Sequence, residues 1–157
     1  MLRTFAATVA LLCIATPAFA DATVFIGSMT TPANRPARGL AIGVGVLLIG
    51  FEFEFADGSE NLEEATPSLR TGMGNVLLQT PFPIAGMQFY VTTGAGLYRE
   101  QLGAREETHA GFNTGGGAKI SLLGPIGVRL DYRIFNLRGK PLHSTVHRVY
   151  AGLNLGF

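Results

Sequence analysis

The sequence contains no tryptophan and a single cysteine, Cys13. With no second thiol an intrachain disulfide is excluded, so stability in an oxidising compartment has to come from elsewhere. Charge is sparse: Asp, Glu, Lys and Arg make up 15% of the 157 residues, and the formal net charge is +1. That balance leaves no basic surplus for a nucleic-acid partner. Long apolar runs are missing too. Beyond residue 20 the nearest is "GLAIGVGVLLIGF" (39–51), which glycines interrupt. It falls short of the roughly 20 apolar residues that a membrane-spanning helix needs. Helical periodicity, tandem repeats and linkers are absent as well. If this chain crosses a membrane, it does so with strands.

The N-terminus reads "MLRTFAATVALLCIATPAFA". Arg3 precedes an apolar run from Phe5 to Ala15, and Pro17 leads into Ala18-Phe19-Ala20. A charged start, a short apolar stretch and an A-x-A end are the parts of a secretory signal peptide. Residues 1–20 are therefore expected to be removed, leaving one domain over 21–157. Leu12, not a small residue, precedes Cys13, so a lipidated N-terminal cysteine is not expected. All eleven acidic residues and eleven of the twelve basic ones follow position 20, so the mature chain is electrically neutral.

Eight segments rich in β-branched and aromatic residues alternate with turn signals. They are 21–29, 39–47, 49–57, 68–79, 87–100, 108–123, 128–137 and 145–157. The first, third, fifth and seventh connections read as longer and polar or charged. The second, fourth and sixth read as short and nearly uncharged. In an up-and-down meander these sets fall at opposite ends, an asymmetry of outer-membrane barrels.

The strand faces are unusual. "GFEFEFAD" (50–57) places Phe51, Phe53 and Phe55 on one side and Glu52 and Glu54 on the other. In 128–135, Val128, Leu130, Tyr132 and Ile134 oppose Arg129, Asp131, Arg133 and Phe135. In 39–47, Leu40, Ile42, Val44 and Val46 oppose Ala41, Gly43 and Gly45. The non-apolar faces thus mix glycine with a few charges, where a solvated sheet would be dense in Lys, Glu, Ser and Thr. An eight-stranded barrel has room inside for side chains only. Gly72, Gly74, Gly94, Gly96, Gly115 and Gly117 suit that interior. Glu52, Glu54, Arg70, Lys119, Arg129, Asp131, Arg133 and Arg148 are expected to form an ion-pair network in the lumen, since unpaired buried charge is costly. Phe51, Phe53 and Phe55 then face lipid. Asn75 falls on the face assigned to lipid, and the first strand fits either phase. The fold expected is all-β: an eight-stranded antiparallel up-and-down transmembrane β-barrel.

The chain ends "VYAGLNLGF", with Val149, Ala151, Leu153, Leu155 and Phe157 at alternating positions. This resembles the C-terminal strand that bacterial outer-membrane proteins present to their assembly machinery, with Phe157 as the terminal aromatic; Leu155 departs from the aromatic common there. Together with the eight alternating strands, the mature chain resembles the small outer-membrane β-barrels that include the transmembrane domain of outer membrane protein A. "GGGAKISLLGPIGVRLDYRIF" (115–135) is similar to their penultimate hairpin. The resemblance implies a Gram-negative cell envelope, both termini in the periplasm and four loops outside the cell. It implies outer-membrane lipid, lipopolysaccharide and the assembly machinery as partners. A monomer is expected.

Chemistry is thin. Some eight-stranded outer-membrane barrels deacylate lipid A with a His–Ser pair and a carboxylate. Here His143 and Ser144, with His147 nearby, are the candidates, but "HST" does not reproduce that pattern, and strand phase puts His147 on the lipid side. A base must reach its nucleophile and be oriented by a third group. Asp57, Glu60, Glu63 and Glu64 crowd the second outer loop without the spacing of a calcium-binding EF-hand. Arg99, Glu100, Arg105, Glu106 and Glu107 crowd the third. No phosphate loop, metal-ligand spacing or nucleophile elbow occurs, and no cofactor is expected. The expected role is structural or surface contact without catalysis. The rivals are a lipid A-modifying enzyme, a soluble periplasmic lipocalin-like binder and a narrow, porin-like pore.

Overall fold

A computed structural model describes residues 18–157. The predicted signal segment lies outside the described residues up to position 17; Ala18, Phe19 and Ala20 open the first strand. The strands are β1 (Ala18–Met29), β2 (Arg35–Val46), β3 (Ile49–Gly58), β4 (Ser68–Gln79), β5 (Met87–Leu102), β6 (Arg105–Leu123), β7 (Ile126–Leu137) and β8 (Thr145–Gly156). They pair in sequence order and close into a barrel. Every pairing is antiparallel. The seam joins β1 to β8, with Asp21 opposite Gly156. Ala20 and Phe157 exchange backbone hydrogen bonds of 3.0 and 2.9 Å there. Closure leaves no sheet edge with unpaired backbone groups.

Alternation decides which side of each strand goes in. On β3, Glu52, Glu54 and Ala56 are buried and Phe51, Phe53 and Phe55 are exposed. The barrel is therefore inverted relative to a soluble protein. Val24, Ile26, Ile42, Val44, Leu130, Val149 and Leu153 are also large apolar residues on the outside. The first strand, ambiguous in sequence, buries Thr23, Phe25 and Met29 and exposes Val24 and Ile26. The two outward threonines at mid-strand do not leave free hydroxyls. Thr93 donates to the Asn113 carbonyl at 3.1 Å and Thr114 to the Thr92 carbonyl at 3.3 Å.

The small circumference forces close approach between strands. A Cβ on inward Gly96 would sit 2.0 Å from the Gly72 carbonyl oxygen, and one on Gly115 would sit 2.2 Å from that of Tyr132. Both contacts are with backbone, which cannot step aside. Glycine at these positions lets the sheet bend.

Two features depart from expectation. The connections do not sort by length. β2 begins at Arg35, taking in half of the expected first loop, and β5 and β6 extend until only Gly103 and Ala104 separate them. Charge marks only two of the connections at the far end, 59–67 and 138–144. The β2–β3, β4–β5 and β6–β7 turns carry none. The second departure is β4, whose phase is opposite to the one expected. Leu69, Met73, Asn75 and Leu77 point inward, whereas Gly72 and Gly74 face outward as cross-strand neighbours of Phe55 and Phe53.

Candidate functional site

The lumen is stacked in layers. At the end bearing the termini, Lys119 pairs with Asp21. Above them lies a cluster of three arginines and three carboxylates. Arg129, Arg133 and Arg148 have no solvent exposure, Glu54 has none, and Asp131 and Glu52 keep 3% and 5%. Above that, Met29, Leu69, Met73, Tyr98, Phe135 and Leu137 form an apolar plug. Arg35 and Glu100 are buried at the far mouth.

Strands on opposite sides of the barrel build the charged cluster by period-2 spacing alone. β7 contributes Arg129, Asp131 and Arg133 to one inward row, and β3 contributes Glu52 and Glu54 from across the lumen. Arg133 is the hub: it lies 2.7 Å from Glu52, 3.0 Å from Asp131 and 3.3 Å from Glu54. Arg129 pairs with Glu52 and lies 3.3 Å from Asp131. Arg148 lies 2.6 Å from Glu54. Neutral groups complete the set. The Tyr90 hydroxyl donates to Asp131 at 2.5 Å and accepts from Arg129 Nε at 2.7 Å. Asn75 donates to Glu52 at 3.2 Å and accepts from Asn113 at 2.8 Å.

Arginine suits this site because its flat face stacks on aromatics while its edge holds carboxylates. The Arg148 guanidinium carbon lies 4.9 Å from the Phe135 ring centre, 5.1 Å from Phe25 and 5.2 Å from Tyr150. Phe25 and Tyr150 stack at 3.9 Å. Rings therefore cover the faces of Arg148 that carboxylates do not reach.

Seven of the eight residues expected in the lumen lie there: Glu52, Glu54, Lys119, Arg129, Asp131, Arg133 and Arg148. Arg70 does not. It sits on the outer face, 2.8 Å from Asp57, with Arg38 on the far side of that carboxylate at 3.8 Å. The reversed phase of β4 is the reason. Sequence reasoning also missed Asp21, Tyr90, Asn75, Asn113 and Tyr150. Tyr90 and Tyr150 each occupy the same inward phase as the charges, which is the signal that could have found them. In β8, Val149, Ala151, Leu153 and Leu155 all point outward, and Phe157, the residue after it, is exposed as well.

The histidines do not assemble a catalytic arrangement. His147 faces outward, 2.6 Å from the Tyr132 hydroxyl, and His109 is 3.1 Å from Glu107. No hydrogen bond joins the His143 and Ser144 side chains among the described residues. In the acidic loop, Glu60 accepts from the Gly103 amide at 2.6 Å, tying it to the β5–β6 turn. Asn61 accepts from the Glu63 and Glu64 amides. No group of three acidic, histidine or cysteine side chains is placed to hold a metal among the described residues.

No protein-family model and no characterised protein matches the sequence. Solved structures do match the fold. Neisserial surface protein A is 12% identical, with a TM-score of 0.70 over 89% of this chain and 97% of that one. The N-terminal β-barrel domain of Pseudomonas aeruginosa OprF is 12% identical, with a TM-score of 0.68 over 88% and 97%. The outer membrane enzyme PagL is 10% identical, with a TM-score of 0.56 over 86% and 98%. A closed eight-stranded antiparallel meander is thus the fold this chain shares with the small outer-membrane β-barrels.

Proposed function

We propose that the chain is an integral outer-membrane β-barrel with a structural or surface-contact role and no catalytic one. One observation carries this reading: no strand bears an outward charge through its middle, where Phe, Leu, Ile and Val predominate, while the charges of the lumen are buried and paired. Water would reject that arrangement; hydrocarbon selects it, because lipid can satisfy neither a backbone edge nor a bare charge. The plugged lumen disfavours a lipocalin-like binder, whose cavity would be apolar and open. It also disfavours a pore, since three fully buried arginines and their aromatic partners fill the cross-section.

Cell fractionation followed by electrophoresis of boiled and unboiled samples tests the membrane assignment. The protein is expected in the outer-membrane fraction, with faster migration when unboiled because a closed barrel resists detergent. A soluble periplasmic band without a shift would overturn the assignment. The resemblance in fold to an outer-membrane enzyme makes catalysis the second reading. Removing both candidate groups, as His143→Ala with Ser144→Ala, is expected to leave the acylation pattern of lipid A unchanged by mass spectrometry. A changed pattern would favour the enzyme.

A further inference from the structure

The two ends of the barrel differ in a way that membrane spanning alone does not require. At the end away from the termini, outward Arg38, Asp57, Arg70 and Arg99 form a row across β2, β3, β4 and β5 in direct register. The opposite end is apolar to its tip. Leu48, Phe82, Ile84, Leu122 and Leu123 are 48%, 71%, 61%, 61% and 79% exposed on the three turns there or on the strand end that enters them. Pro81, Pro83 and Pro125 accompany them, and no turn carries a charge. These side chains stand at or beyond the strand ends, where a sheet in water is normally polar.

We infer that these three turns are immersed in the periplasmic leaflet of the membrane, as lipid-contacting extensions of the barrel wall. The inference rests on the membrane assignment above, and the height of the apolar band carries it. On β3 the outward face runs from Ile49 at the turn to Asp57, the first charge, eight residues on. The same interval separates Val46 from Arg38 on β2 and Leu78 from Arg70 on β4. Eight residues span about 27 Å along a strand, or about 20 Å across the membrane at a tilt near 40°. Outer-membrane barrels cover an apolar band of about 25 Å. Arginine can reach upward from below a membrane surface, but aspartate is too short, so Asp57 pins the upper boundary. The deficit of about 5 Å therefore falls at the lower end. The turns meet it there: Leu47 and Leu48 continue the β2–β3 face, and the other two turns bring Phe82, Ile84, Leu122 and Leu123 to that end.

The absence of tryptophan makes the test clean, because one introduced indole reports alone. Phe82→Trp, Leu123→Trp and Phe53→Trp variants of the mature chain are folded into vesicles of phosphatidylcholine, with folding checked by the heat-dependent gel shift. Phe53→Trp marks the band centre and tests the membrane assignment separately. All three are expected to emit below about 340 nm and to be quenched by brominated acyl chains, with Phe82→Trp and Leu123→Trp quenched by bromines near the headgroup. If Phe53→Trp behaves this way while both turn probes emit like free indole and are quenched by aqueous iodide, the turns stand in water and the inference is overturned. If Phe53→Trp is itself water-quenched, the membrane assignment has failed first, and the inference with it.

Discussion

Arg133→Met is expected to destabilise the folded barrel by about 3–5 kcal/mol, the cost of breaking a buried ion pair by removing one partner. Methionine nearly matches the volume, so the loss is electrostatic and no cavity of consequence is made. The cluster holds three positive and three negative groups, and Arg133 touches all three carboxylates. Without it one negative charge is stranded in a space that admits no counter-ion. The partner chosen for a second substitution matters. Adding Glu52→Gln leaves Arg129 with Asp131 and Arg148 with Glu54, two intact pairs, and should restore at least half of the loss. Adding Glu54→Gln instead strands Arg148 and should not. Urea unfolding of the barrel in lipid vesicles, followed by circular dichroism, measures each change. A single variant within 1 kcal/mol of the parent would show that the cluster adds little to stability.

Phe53→Arg is expected to cost about 2–4 kcal/mol in a bilayer, the penalty for a cation at the midplane of a barrel's lipid face. Phe53 is 59% exposed and lies midway between Ile49 and Asp57, four residues from either end of the apolar interval. Arginine at position 53 would be too far from either headgroup layer to escape fully. On a water-facing sheet the same change would be within about 0.5 kcal/mol of neutral. Unfolding free energy in vesicles separates the two cases, and a near-neutral result would contradict lipid at this face. Lys or Arg at the neighbouring Glu52 would fail for a different reason, by adding positive charge to the neutral cluster.

Most of the fold was legible because period-2 alternation survives wherever one face is uniformly apolar. β3, β7 and β8 present such faces, and their inward residues were assigned correctly. β4 hid its phase. "SLRTGMGNVLLQ" carries apolar side chains on both faces, since Leu69, Met73 and Leu77 belong to the interior plug while Val76 and Leu78 face out. With glycine at 72 and 74, the rule of small or polar inside pointed the wrong way, and Arg70 went with it. The deeper reason is that this interior is not polar throughout. Its upper half is an ordinary apolar core, which a rule of opposite polarity cannot anticipate. Loop lengths failed for another reason. "QLGAREE" reads as a polar loop, yet in register β5 and β6 continue pairing through Leu102 and Arg105 as a ribbon above the rim. Polar composition marks solvent there, and solvent-exposed strands share it.

The seam between β1 and β8 has a consequence for the order of events in biogenesis. Asp21 cannot meet Gly156, nor Phe25 meet Gly152, until almost all of residues 21–156 have been made. Every other pairing joins strands adjacent in sequence and can form as a simple hairpin. Until the seam closes, β1 and β8 are two raw margins of the sheet. Such margins invite pairing with any passing strand. Closing this one long-range seam removes both margins at once.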